Sequence, residues 1–332
     1  MAVDRYVVAI DGSQAAADQP AIEHLLADGK LLWLDLDGTD PASIAMLRDV
    51  FGVHPLAVGA ASKFGQRPKI EDYRDTVYLV TYGARGFGQD LTEVHCVYSE
   101  RFLITIRCHP CDPLSTLQKR LAGQVGPEVQ LHTHPHLGQR QPRLVLLYHL
   151  LDGMCDSYFP ALSEFDDRID ALQEKIFAKP SDDQLVELFS MQRWLVGMRK
   201  LVSPQRDMMA SLATGMITLP GMTEEAEPYV RDLYDRLIRV NDLVDSYRDL
   251  LSSAMDAYLS TVSNRLNQVM KQLTVIATVF LPLSFLTGFF GQNFAWMVNH
   301  LGGLTTFIVL GLGTEALAVV GLFALFRRRG WI

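Results

Sequence analysis

The chain has 332 residues, with 38 acidic side chains against 30 lysines and arginines and a formal net charge of −8. An acidic balance argues against a nucleic-acid partner and favours attraction of cations, and a chain of this length ordinarily forms about two domains. The charge is unevenly spread: residues 1–151 hold 17 acids and 14 bases, residues 152–256 hold 20 and 11, and residues 257–332 hold 1 and 5.

The acidity therefore belongs to the middle of the chain. The last segment carries two long apolar runs, which mark an integral membrane protein with a large soluble part. The expected fold class is an α+β membrane protein with three parts: a cytoplasmic α/β domain over residues 1–140, a helical stalk over 141–271 and a transmembrane domain over 272–332. The start, MAVDRYVVAIDGSQ, lacks the basic region, apolar core and cleavage site of a secretory signal. The soluble part is thus expected in the cytoplasm, with Cys96, Cys108, Cys111 and Cys155 as reduced thiols.

In the first 140 residues, β-type runs at 31–36, 76–82, 94–98 and 102–107 alternate with turn residues and with helical patterns at 41–51 and 113–122. The runs between 76 and 107 are close in sequence and are expected to pair largely antiparallel. Gly83 to Gly88 follows a run without opening a helix, so it reads as a hairpin turn and not as a phosphate cradle. Two features carry possible metal chemistry. Cys108 and Cys111 form a CxxC pair, and His132, His134 and His136 form a short tract. A lone CxxC after a strand is more often a plain loop, and a His tract in a Gly/Gln/Pro-rich linker is more often solvated.

From residue 144 the apolar spacing becomes helical, and Lys179-Pro180-Ser181-Asp182 ends one helix and caps the next at Ser181 or Asp182. That next helix is expected to run to about residue 213, and a loop, TGMITLPGMTEEAEP, follows. No proline lies between Pro228 and Pro282, and no glycine between Gly221 and Gly288. Residues 229–281 are therefore free to form one rod of roughly 80 Å, continuous from stalk into membrane.

One face of that rod, at helical spacing, reads Asp256, Ser260, Ser263, Asn267, Met270, Thr274, Ala277, Leu281, Ser284 and Gly288. Such a polar stripe is unsuited to lipid. Several copies around an axis would turn it into the wall of a water-filled path, with Met270, Leu273 and Leu281 as constrictions that gate by dewetting. Ordinary helix packing through small residues is the alternative.

The first span is read over 272–290, a short loop over 291–303 and the second span over 304–326. Arg327, Arg328 and Arg329 follow directly and place the C-terminus in the cytoplasm by the positive-inside rule. Two spans then leave both termini on that side. Glu315 interrupts the second span. It reads either as a proton-coupling carboxylate or as a protonated or hydrogen-bonded group in a helix that does not line the path. No nucleophile–base pair and no P-loop occurs, so neither an enzyme nor an organic cofactor is expected.

Three stretches carry a family resemblance: GQRPKIEDY at 65–73, YHLLDGMCDSYFP at 148–160, and 236–294, which ends VFLPLSFLTGFFGQNF. Through them the chain resembles the CorA family of divalent-cation transporters over most of its length. The resemblance implies a homopentamer in the inner membrane, with a funnel of long helices below an inner ring of first spans and an outer ring of second spans. It implies an ion-selecting mouth at Gly291, Gln292 and Asn293, where Asn293 holds a hydrated divalent ion, as suits Mg²⁺. It places pore positions on Asp256, Asn267, Met270, Leu273, Leu281 and Ser284. It also implies a regulatory metal site at Asp232, with Asp90 of a neighbouring protomer as the suggested partner.

The sequence departs from the family pattern in three ways. Gln292 replaces the signature Met, where the ZntB branch has Ile; the loop lacks acids; and Glu315 is added. The reading that results is a channel or transporter in which a divalent ion is both substrate and regulator, Mg²⁺ or Co²⁺ first. One alternative is a ZntB-like proton-coupled carrier of Zn²⁺ or Ni²⁺. Another is a membrane-anchored zinc sensor built on the CxxC and His tract.

Overall fold

The computed structural model describes residues 6–9, 14–15, 19–29, 32–121, 142–292, 295–300 and 303–331. The chain divides into two compact units: residues 1–175 with 181–255, and residues 176–180 with 256–332.

The first unit is built on a seven-stranded sheet: β1 (Tyr6–Ala9), β2 (Gln14–Ala15), β3 (Leu32–Asp37), β4 (Lys69–Asp72), β5 (Thr76–Gly83), β6 (Thr92–Ser99) and β7 (Phe102–Arg107). Its order is β2-β1-β3-β7-β6-β5-β4. As expected, β5, β6 and β7 pair antiparallel, with Val77 opposite Tyr98 and Cys96 opposite Thr105. Among the described residues, only β3 and β7 run parallel, Leu34 facing Ile104. The chain turns between β5 and β6 through Gly86 and Gly88, both at positive φ (146° and 74°), a backbone region open mainly to glycine.

Strands β3, β5, β6 and β7 are buried along nearly their whole length, as in sheets covered on both faces. On one face, Leu32, Leu34, Leu36, Val80, Ile104 and Ile106 pack with helices α1 (Gln19–Ala27), α2 (Pro41–Asp49) and α3 (Pro55–Ala61). Asp40 caps α2 by accepting from the Ala42 amide, and Pro41 starts it where no N–H is needed. A second helical layer holds α4 (Asp112–Leu121), α5 (Pro142–Asp156), α6 (Tyr158–Ala178) and α7 (Asp182–Ala213), with α5 against β5 and β7 and α7 against β4 and β5. Gln205 on α7 joins that layer to the sheet: its Oε1 accepts from the Tyr82 amide at 2.6 Å and its Nε2 donates to the Tyr82 carbonyl at 3.2 Å.

Ser181 is the N-cap of α7, and Gln184 reaches back to accept from its amide at 3.1 Å. The helical run read from residue 144 is interrupted at Ser157, between α5 and α6.

The last long helix, α8, runs unbroken for 64 residues, Glu227–Phe290. It passes through Pro282, as helices within membranes tolerate. In the second unit, the segment expected as a loop contains a short helix, α9 (Ala295–His300), whose Trp296 and His300 rings stack at 4.9 Å. The final helix α10 (Leu304–Arg328) opens with a π-helical turn at Phe307–Leu312. The terminal part of α8 and all of α10 are long and apolar enough to cross a membrane, and neither apolar window is buried within the chain.

Candidate ion pathway

Because α8 is continuous, spacings of three and four residues do place Asp256, Asn267, Met270, Thr274, Leu281, Ser284 and Gly288 along one side of it. All seven are exposed within the single chain, as is Leu273 beside the stripe. Leu281 is 77% exposed, far outside the range of a core leucine. Not every hydroxyl on the spans is free to face an ion. Thr274 Oγ1 donates to the Met270 carbonyl at 2.8 Å and Thr287 Oγ1 to the Leu283 carbonyl at 2.7 Å, so both are satisfied by their own helix.

At the end of α8 the Gly291 amide donates to the Thr287 carbonyl at 2.9 Å and the Gln292 amide to the Phe289 carbonyl at 3.3 Å. These bonds close the helix and leave the Gln292 side chain exposed. Asn293 lies outside the described residues. A cavity of about 520 Å³ opens here, lined by Thr287, Gly291 and Gln292 from one side and by Met297, Phe307 and Glu315 from others.

In the first unit, Asp232 is part of an ionic cluster. Its Oδ2 accepts from the Tyr148 hydroxyl at 2.9 Å and from Arg236 Nε at 3.0 Å. Arg236 Nη1 also lies 2.9 Å from Asp152 Oδ1 and 2.6 Å from Asp156 Oδ1. One guanidinium thus bridges α8 to two carboxylates on α5, and the cluster keeps an excess of negative charge. Burial pushes Asp152 up to about 6; Asp156 and Asp232 add to that rise, and Arg236 opposes it. Asp90, on the β5–β6 connection, is exposed.

Comparison with known proteins decides the family. The model of the CorA-like Mg²⁺ transporter protein family matches residues 28–328. The chain belongs to the CorA-like family. It is 30% identical over 308 residues to the cobalt/magnesium transport protein CorA of Thermotoga maritima, covering 90% of this chain and 83% of that protein. It is 29% identical over 301 residues to the putative metal ion transporter YfjQ of Bacillus subtilis, covering 90% and 89%. Its fold superimposes on the complete structure of the CorA magnesium transporter of Methanocaldococcus jannaschii with a TM-score of 0.78, at 22% identity and over 100% of both chains.

As a CorA-like chain it is a divalent-cation transport protein, of a family whose members are transporters and not enzymes. The soluble unit also holds residues that the sequence analysis assigned no role. Asp152, Asp156 and Arg236 complete the cluster around Asp232, and each helix supplies a pair at i, i+4: Asp152 with Asp156, and Asp232 with Arg236. That spacing is legible in the sequence as two charged faces. Which helix meets which is not.

The CxxC pair is split by burial. Cys111 is buried with its Sγ 3.6 Å from Met154 Sδ, and burial pushes its thiol up to about 11, away from the thiolate that binds zinc. Among the described residues, no group of three His, Cys, Asp or Glu side chains is arranged to hold a metal ion. His132, His134 and His136 lie outside them.

Proposed function

We propose that this CorA-like protein is a homopentameric, inner-membrane pathway for divalent cations, with Mg²⁺ or Co²⁺ as its preferred ions. One observation carries the reading: a single unbroken helix takes a polar stripe through an apolar, unburied span. Lipid suits the apolar sides of that helix but not the Ser284 hydroxyl or, where the helix enters the membrane, the Asn267 carboxamide, whereas five copies around an axis give the stripe water. Gly291, Gln292 and Asn293 then form the mouth. Mg²⁺ dehydrates reluctantly, and carboxamides suit an ion held through its water shell. Met270, Leu273 and Leu281 narrow the path. Asp256, at the cytoplasmic end, attracts cations, and both termini are cytoplasmic. The name of the Thermotoga relative, a cobalt/magnesium transport protein, agrees with this ion preference.

Gating follows from acidic sites that include Asp232. A divalent ion shared between Asp232 and an acid of a neighbouring protomer, for which Asp90 is the suggested partner, holds the long helices closed, and its loss lets them splay. If metal left protease protection unchanged in both the wild type and Asp232→Ala, the gating idea would be wrong.

The test of the whole reading is flux into liposomes holding the purified full-length protein, comparing Mg²⁺, Co²⁺, Ni²⁺ and Zn²⁺ with and without a pH gradient. Mg²⁺ and Co²⁺ flux that ignores the gradient and is lost in Asn293→Ala is expected. Zn²⁺ flux that needs the gradient and fails in Glu315→Gln would establish proton-coupled transport instead.

A further inference from the structure

Gln292 and Glu315 are separate departures from the family pattern in the sequence, 23 positions apart by their numbers. The structure places both on the wall of one cavity. Glu315 is also the one acid in residues 257–332. It follows the π-helical turn at Phe307–Leu312, and single π turns within α-helices are frequent at functional sites. A turn wound wider than 3.6 residues keeps side chains four apart on one face, and Phe307, Gly311 and Glu315 line the cavity at that interval. Among the described residues, no other titratable side chain lines it: α8 contributes Thr287 and Phe290, α9 Met297 and Val298, and α10 Thr306 and Phe307 among its remaining walls.

Each of the two residues alone is a poor choice for this place. A carboxamide has two donors and an acceptor to satisfy where a thioether has almost none, and a carboxyl group within a span is disfavoured unless it is paired. We infer that Glu315 is a positioning residue for the mouth: it hydrogen-bonds the Gln292 carboxamide across the cavity and sets which end of the amide faces the ion path. This rests on the pore reading above.

The bond exists in both protonation states, but its direction reverses. An ionised Glu315 accepts from the amide nitrogen, which turns the amide oxygen toward the path, where it accepts from the water shell of a cation. A protonated Glu315 donates to the amide oxygen and turns the nitrogen outward. Cation binding at the mouth therefore weakens as Glu315 takes up its proton, although the proton itself is not transported.

The test uses the full-length protein in liposomes and measures the half-saturating Mg²⁺ concentration and the maximal flux between about pH 4, near the ordinary carboxyl value, and about pH 8. In wild type the half-saturating concentration rises as pH falls. Glu315→Gln keeps a hydrogen bond but removes the pH dependence. Glu315→Leu raises the half-saturating concentration about three- to tenfold, the loss of one hydrogen bond, with maximal flux little changed. In Gln292→Met the same Glu315→Leu change has no further effect. Equal shifts from Glu315→Leu in the wild-type and Gln292→Met backgrounds would overturn the inference, as would a pH dependence that survives in Glu315→Gln.

A second readout does not need flux. The infrared carboxyl band that appears on acidification, and is missing in Glu315→Gln, moves in Gln292→Met. A band that stays in place overturns the contact. Vesicles without divalent flux whose band does move would overturn the pore reading, and the role at the mouth with it, but not the contact.

Discussion

The two units of this chain treat apolar surface in opposite ways. In the first, Leu34, Val80, Ile104 and Phe165 are wholly buried, and even the charged pair Arg107 and Asp35 is enclosed. In the second, Phe280, Leu281, Phe285 and Leu317 are all more than 60% exposed. A soluble unit cannot leave so large a contiguous apolar surface facing water without aggregating. The first unit is stabilised by its own core, at about 1.5–3 kcal/mol for each fully buried large aliphatic or aromatic side chain. The second needs a lipid surround to do for it what the sheet and helices do for the first. The proposed function draws on both: a self-sufficient unit that senses, and a dependent unit that becomes a pathway on assembly.

The largest effect that sharpens this contrast is expected at Arg107. Its guanidinium meets Asp35 at 2.7 and 3.0 Å, while Gln118 and Thr105 donate to the same carboxylate. Arg107→Ala strands a buried carboxylate and should destabilise the first unit by about 3–5 kcal/mol. Denaturant unfolding of the detergent-purified protein, read by tryptophan fluorescence, measures it. The helical circular dichroism of the spans should persist after the fluorescence transition. A loss below about 1 kcal/mol would show that the network is not what holds β3 to β7.

Asp152 gives a smaller effect of opposite sign. Burial pushes its carboxyl up to about 6 in the folded protein, above the ordinary aspartate value of 3.8, so between these values the folded state binds the extra proton. The stability this supplies is complete below the unfolded pKa and is lost as pH rises through about 6. Asp152→Asn, which cannot ionise, should therefore match the wild type near about pH 4 and exceed it by up to about 2 kcal/mol near pH 8. Melting curves at the two pH values decide it. A mutant less stable than wild type at the higher pH would mean that the ion pair with Arg236 outweighs the burial of the charge.

How far the sequence revealed this architecture depended on how local each signal was. The β-branched runs and the helix stops at Lys179-Pro180 and after Ala213 rest on neighbouring residues, and the structure has them close to where periodicity placed them. The absence of glycine and proline made α8 legible over 229–281, but the helix runs further at both ends, from Glu227 to Phe290, through Pro282 and Gly288. The break at Ser157 was not seen, because it depends on a distant strand: the Ala84 amide donates to Ser157 Oγ at 2.8 Å, and a side chain at Gly83 would strike that oxygen. Pro160, in the first turn of α6, is the one local sign of it. The cluster around Arg236 and the cavity shared by Gln292 and Glu315 were out of reach for the same reason. Their members were visible singly or in pairs, but only the packing of one helix on another brings them together.

The smallest effect on stability, and the one that probes the second unit directly, is expected at Leu281. In the single chain it makes little contact, so Leu281→Ala removes almost no buried surface and should change the melting of the first unit by less than about 0.5 kcal/mol. Three environments for this side chain remain distinguishable. If it faces lipid, flux does not change. If it packs between protomers, its truncation lowers the oligomer population seen on size-exclusion chromatography. If it narrows a water path, the oligomer is intact and flux rises, because a shorter apolar side chain makes the constriction wider and easier to wet. The proposed pathway requires the third result, and the same helical face that carries Asn267 and Ser284 is the reason to expect it.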